Sequence, residues 1–144
     1  MNAESRSMLP FKSRRTVAFG DCDPGGAIYT PRACHFVVES ILDFQSWILG
    51  APAARTIFEM GILPPAKAIS VEFASPLAWD DVIELEVTCS AVGETSFSCD
   101  VAARRLGGEL AFRARLTQVC VSPESKRPVA IPLVLRAALE RSIV

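Results

Sequence analysis

A single histidine, His35, serves all 144 residues, and that scarcity removes several chemistries at once. A protein zinc site draws on several His, Cys or carboxylate ligands at set spacings, and the five cysteines, at 22, 34, 89, 99 and 120, form no CxxC pair. No metal is therefore expected. The odd cysteine count fits reduced thiols and a cytoplasmic setting better than a disulfide framework. Charge of one sign is missing as well: 15 Lys and Arg against 16 Asp and Glu leave a formal charge of −1, so neither nucleic acid nor an anionic membrane is an expected partner. No run approaches the roughly 18 apolar residues that span a bilayer. The chain also lacks a G-x-S-x-G elbow, a G-x-G-x-x-G turn and a Walker sequence, which leaves serine-triad and nucleotide chemistry without a carrier.

What is present is apolar residue, half of the chain. That content at this length predicts one core and one domain, 11–144, behind a disordered segment, 1–10, whose Glu4 and Arg6 interrupt any signal-like apolar stretch. Alternation in Arg14–Phe19, with Arg15, Val17 and Phe19 on one face, predicts a first strand. Asp21-Cys22-Asp23-Pro24-Gly25-Gly26 then concentrates turn formers. Thr30 reads as an N-cap with Pro31 at the first helical position, and Gly50 as a helix stop. Between them Cys34, Val37, Val38, Ile41, Phe44 and Ile48 fall at helical spacing, flanked by enough further apolar residues that the helix should be wrapped by other elements. His35, Glu39, Asp43 and Ser46 form its polar strip, His35 within reach of Glu39 one turn on.

A loop or short helix at 53–60 precedes four further strands. Ile69, Val71 and Phe73 alternate within 67–74, and Ile83, Leu85, Val87 and Cys89 within 82–91. Segments 95–106 and 109–121 flank Gly107-Gly108, a two-residue loop of the type I′ kind. In the last strand the apolar parity switches from Leu110, Phe112, Ala114 and Leu116 to Val119 and Val121, which predicts a bulge or two buried faces. Pro132–Ile143 reads as a closing helix. The sum is α+β, a long helix packed on one curved antiparallel sheet of about five strands.

Asp21 and Asp23 sit between a strand end and a helix start. A helix N-terminus presents N–H donors and partial positive charge, a combination able to hold an oxyanion. Spacing alone favours reading the two aspartates as turn formers. Cys22 is a second nucleophile to weigh, but nothing pairs it with His35. Trp47 and Trp79 read as core or interface anchors.

The stretch Phe19-Gly20-Asp21-Cys22-Asp23-Pro24-Gly25-Gly26-Ala27-Ile28-Tyr29-Thr30-Pro31 resembles the signature of the 4-hydroxybenzoyl-CoA thioesterase family. The likeness extends more weakly through Glu59-Met60-Gly61-Ile62, Val71-Glu72-Phe73, Asp80-Asp81-Val82 and Thr95-Ser96-Phe97. It implies a hotdog fold, an acyl-CoA substrate, no cofactor beyond the coenzyme A of that substrate, and a homodimer or dimer of dimers (a homotetramer) with shared active sites. It further implies that Asp23 is the catalytic carboxylate and that the main-chain N–H of Thr30 receives the thioester oxygen. Gly26, Tyr29 and Pro31 then fall at the substrate. Asp23 would act either by direct attack, giving a mixed anhydride, or as a general base towards water.

Two departures bear on the substrate. Ala33 and Thr30 stand where relatives carry aromatics, which reshapes the acyl pocket. The basic residues that relatives place before the Ser-Phe pair are here Gly93, Glu94 and Thr95, leaving Arg104 and Arg105, with Arg113 and Arg115, as candidates for the coenzyme A phosphates. That loss also motivates a non-hydrolytic acyl-CoA-binding protein, or a thioesterase acting on acyl carrier protein through Arg32 or Arg127. Hydratase chemistry, which would need an Asp/His pair, has no such pair to use.

Overall fold

The computed structural model describes residues 10–143; of the segment 1–10 expected to be disordered, all but Pro10 lies outside the described residues. The elements run β1 (Phe11–Thr16), a single 3-10 turn (Phe19–Asp21), α1 (Thr30–Leu49), α2 (Ala53–Glu59), β2 (Ala66–Phe73), β3 (Val82–Val92), β4 (Ser96–Arg105), β5 (Leu110–Val119) and α3 (Leu133–Ser142). All five strands join one antiparallel sheet in the order β1-β3-β4-β5-β2. Its inner face packs on α1, and a long helix wrapped by such a sheet is the hotdog arrangement.

Helix α1 ends where its sequence marks but begins one residue early: Tyr29 is the N-cap and Thr30, expected to cap, is the first helical residue and makes no side-chain cap bond. Pro31 occupies the first turn, where its missing N–H costs nothing, and Gly50 closes the helix in the left-handed region at φ 68°. Phe36, Val37, Ile41, Phe44 and Ile48 are at most 2% exposed, each stabilising the fold by roughly 1.5–3 kcal/mol relative to exposure. The buried stripe differs from expectation in its flanks. Phe36 is inside as expected, but Ala33 joins it while Val38 faces out, and Glu39 pairs with Arg15 of β1 rather than with His35. That Arg15 guanidinium also lies 4.0 Å above the Phe36 ring.

The strands follow period two, with local corrections. β1 starts and stops three residues earlier than predicted, because Phe19 belongs to the 3-10 turn and is 79% exposed. In β3, Ile83, Leu85, Val87 and Cys89 all point inward as expected. The β4–β5 hairpin is not type I′. Gly108 N–H donates to Arg105 O, and Gly108 alone of the glycine pair has positive φ, at 96°, so Leu106-Gly107-Gly108 forms a three-residue loop with a left-handed third residue. The last strand has the irregularity its pattern predicts. Its inward parity continues through Gln118, 8% exposed, to Cys120, but Ala111 and Val121 of the other parity are buried too, and the pairings of β5 shift register against Ala103/Arg104, where Ala111 is the extra residue, and against Ala66/Ala68, opposite Thr117 and Gln118. The buried glutamine hides one inward position from the apolar pattern. Gln118 receives Gln45 Nε2 of α1 at 2.9 Å and donates to Pro64 O at 3.0 Å, satisfying most of a polar pair that burial would otherwise penalise.

No helix is long and apolar enough to cross a membrane among the described residues. Strand β2 is an edge, and its apolar side is half open: Ile69 is 43% and Phe73 46% exposed.

Candidate active site

Residues 21–29 fold back on themselves as a small hairpin whose two legs meet at α1. Tyr29 N–H donates to Asp21 O at 2.8 Å, Asp23 N–H to Ala27 O at 2.9 Å and Gly26 N–H to Asp23 O at 2.9 Å, with Cys22 bridged to Ile28 between them. Gly26 turns the corner at φ 87°, and a Cβ there would sit 3.3 Å from the Trp79 ring. The positive φ favours glycine, and a Cβ would oblige the Trp79 ring to give by a few tenths of an ångström.

The two aspartates have separate environments. Asp21 is buried at 7% exposure; its Oδ2 accepts Ala18 N–H at 2.8 Å and its Oδ1 faces Arg32 Nε at 3.3 Å. It holds the turn. Asp23 is exposed, and only its Oδ1 is engaged, by Gly25 N–H at 2.9 Å. The second oxygen of Asp23 is left to solvent or substrate.

At the head of α1 the donors are reduced almost to one. Arg32 and Ala33 both turn their N–H groups on Tyr29 O, at 2.8 and 3.4 Å, and Pro31 has none. Thr30 N–H, at the first helical position where no intrahelical carbonyl can reach it, remains as the main-chain donor of that turn. Thr30 lines a cavity of about 340 Å³ with Ala27, Ile28, Phe73, Ala74, Ser75 and Pro76. Asp23 stands beside this cavity, across the turn from Ala27, rather than in its wall. Tyr29, 55% exposed, and Pro31 adjoin Thr30 in the chain but do not line the cavity.

Arg104 and Arg105 are not brought together. Strand alternation sends Arg104 to the outer face, where it bonds Gly108 O. Arg105 turns to the inner side and clamps the 74–81 loop, donating to Ser75 Oγ at 2.7 Å and to Pro76 O, and pairing with Asp81 at 3.5 Å and Glu109 at 3.6 Å. That loop in turn holds the hairpin, because Leu77 O accepts Ile28 N–H at 2.7 Å. This connection escaped sequence reading, as did Phe73, Ser75 and Pro76 as cavity wall: nothing local links position 105 to position 75. Phe19 and Trp79 pack at 5.7 Å between ring centres beside the same hairpin.

Cys22 is a poor thiolate. Desolvation first, and then the negative charges of Asp21, Asp23 and Asp81, push its thiol above the ordinary range, so the neutral thiol prevails at physiological pH.

Comparison with known proteins bears on family and fold. The family model described as thioesterase-like superfamily matches residues 17–139. A 1,4-dihydroxy-2-naphthoyl-CoA hydrolase of Trichodesmium erythraeum (strain IMS101) is 28% identical over 123 residues, 82% of this chain and 86% of its own. Among solved structures, a gentisyl-coenzyme A thioesterase superposes with a TM-score of 0.79 at 20% identity, covering 90% of this chain and 99% of that one. A 1,4-dihydroxy-2-naphthoyl-CoA thioesterase from Synechocystis gives 0.75 at 22% identity, covering 90% and 94%. At these identities the superpositions speak for the fold.

Proposed function

The chain belongs to the thioesterase-like superfamily, and from that premise we propose that it is an acyl-CoA thioesterase in which Asp23 attacks the thioester carbonyl and Thr30 N–H holds the oxyanion. The observation that carries this is one hairpin that bears an accessible carboxylate, Asp23, opposite Ala27 and runs directly into the free Thr30 N–H heading α1, with Ala27, Ile28 and Thr30 lining an apolar cavity. The compared proteins named for CoA thioesters support the substrate class. The finer kinship, to the 4-hydroxybenzoyl-CoA thioesterases, rests on the Phe19–Pro31 stretch, and the acyl group is taken to be small or aromatic.

A carboxylate is ionised at neutral pH and needs no base to activate it, which suits a site without histidine. Attack by Asp23 forms a mixed anhydride and expels the coenzyme A thiolate. Water then cleaves the anhydride, returning the Asp23 carboxylate and releasing the free acid, while a proton from that water converts the thiolate to the thiol. A dipole-oriented N–H at the carbonyl oxygen lowers the barrier to the tetrahedral intermediate by roughly 3–4 kcal/mol. Neither step calls for a metal or an organic cofactor. Tyr29, Pro31 and Gly26 shape the mouth around the thioester. Of the cations, Arg104 is the freer to meet a coenzyme A phosphate, since Arg105 already faces two carboxylates.

The active unit is assigned as a dimer, itself able to pair into a tetramer, working in the cytoplasm. The open edge of β2, with Ile69 and Phe73 half exposed next to the cavity, supports a partner strand there, because an unpaired apolar edge invites pairing. The test is thiol release from a panel of acyl-CoAs beside the same acyl groups on carrier protein. Release from the CoA esters is expected; binding without release, or release from carrier protein alone, contradicts the assignment.

A further inference from the structure

The indole of Trp79 is set against the turn that carries Asp23. A Cβ built on Gly26 would stand 3.3 Å from its Cζ3 and 3.6 Å from its Cη2, so the benzo edge of the ring lies close on the bare backbone of that glycine. Phe19 packs on the ring as well, 5.7 Å between centres and tilted by 54°. The ring is aimed by its own turn. Asp81 N–H donates to Ala78 O at 3.2 Å, closing Ala78–Asp81 with Asp80 in the left-handed region at φ 71°, a conformation that a residue other than glycine adopts at a cost. Asp81 Oδ2 accepts Ala78 N–H at 2.9 Å, and Val17 fastens the far side, its N–H donating to Asp81 O at 2.8 Å and its O accepting Asp80 N–H at 2.7 Å. Ala78 is also bridged to Ala27, the residue after Gly26. All of these contacts lie within one chain, so they hold whatever a second subunit adds to the site.

We propose that Trp79 is a positioning residue for Asp23, acting through Gly26. The inference rests on reading Asp23 as the residue that attacks the thioester. The Asp23 carboxylate owes its direction to the same turn: Oδ1 accepts Gly25 N–H at 2.9 Å, and Gly26 N–H returns to Asp23 O at 2.9 Å. Gly25 and Gly26 have no side chains with which to stiffen that turn, so an outside wall is what limits its motion. Trp79 supplies it. With the ring removed, the turn samples more arrangements and Asp23 spends less of its time within reach of the carbonyl. The rate then falls while affinity for the substrate, made by other residues, is kept; a displacement of about 1 Å at a reacting group lowers a rate by roughly a hundredfold.

The experiment sets Trp79→Ala and Trp79→Phe beside the parent in two measurements. Amide hydrogen exchange resolved by NMR follows Asp23 and Gly26, with the amides of β3 and β4 as internal control. The alanine variant is expected to exchange at Asp23 and Gly26 at least about tenfold faster, the control amides unmoved. Steady-state kinetics uses the acyl-CoA that the parent turns over fastest. There kcat should fall roughly ten- to a hundredfold with KM within about threefold, and Trp79→Phe, which keeps a ring against Gly26, should restore most of kcat. Unchanged exchange at Asp23 and Gly26 overturns the inference. So does a kcat within about twofold of the parent, or a KM that rises as steeply as kcat falls, which would make Trp79 a substrate contact. A parent protein without turnover would sink the thioesterase reading instead, and the exchange comparison would still decide whether Trp79 holds the turn.

Discussion

Replacing Asp21 by alanine should cost stability out of proportion to its place in a surface turn. The substitution orphans Ala18 N–H, which now donates to Oδ2 at 2.8 Å; a hydrogen bond to a charged acceptor contributes roughly 1.5–3 kcal/mol. It also removes the Arg32 pair at 3.3 Å, whose guanidinium side chain is 46% exposed, so solvent screening holds that loss to about 1 kcal/mol or less. The sum is roughly 2–4 kcal/mol. For a chain of 144 residues this lowers Tm by roughly 6–15 °C, taking a few degrees per kcal/mol. Asp21→Asn, which keeps one acceptor but loses the charge, should fall about halfway. Thermal unfolding followed by circular dichroism reads both. An Asp21→Ala protein melting within about 2 °C of the parent would refute the claim that this carboxylate fastens the hairpin.

Three further perturbations probe other links. Arg105→Met removes the clamp on Ser75 and Pro76, so KM for an acyl-CoA should rise several-fold more than kcat falls; steady-state kinetics with an unchanged KM would contradict this. Ile69→Asp places a charge on the half-exposed edge of β2 and should convert a dimer to monomer with loss of turnover, read by size-exclusion chromatography with light scattering. The Cys22 thiol, held protonated by desolvation and by its three aspartate neighbours, should be alkylated slowly near pH 7 and faster as pH rises past the usual thiol range. Iodoacetamide labelling that is already at full rate near neutrality would show a thiolate there and reopen Cys22 as nucleophile.

Helix α1 was legible to within one residue because its signals are local: Thr30-Pro31 marks its start, though Thr30 is the first helical residue and Tyr29 the N-cap, and Gly50 closes it. Alternation found β3 for the same reason. The errors arose where a residue answers to something distant in sequence. Gln118 is inward because Gln45, on α1, meets it there, so an apolar tally misses one inward position of β5. Phe19 looked like a strand residue until its neighbours turned away. The hairpin loop differs from the expected type because backbone φ at Gly107 and Gly108 is not readable from two adjacent glycines. At the site, the Asp23 loop stood out through its motif, whereas the Arg105 clamp and the cavity wall are products of the β2–β5 and β4–β5 pairings. Strand parity alone did carry the information that Arg104 and Arg105 face opposite ways.

The central claim, that the exposed carboxylate of Asp23 performs the bond-making step, meets its most direct test in an Asp23→Asn protein assayed for thiol release from benzoyl-CoA. Because that side chain makes one hydrogen bond, to Gly25 N–H on the surface, Tm should move by no more than roughly 3 °C. Meanwhile kcat should fall by on the order of 10³-fold or more. A variant that keeps the parental kcat within about twofold while remaining folded would contradict the account.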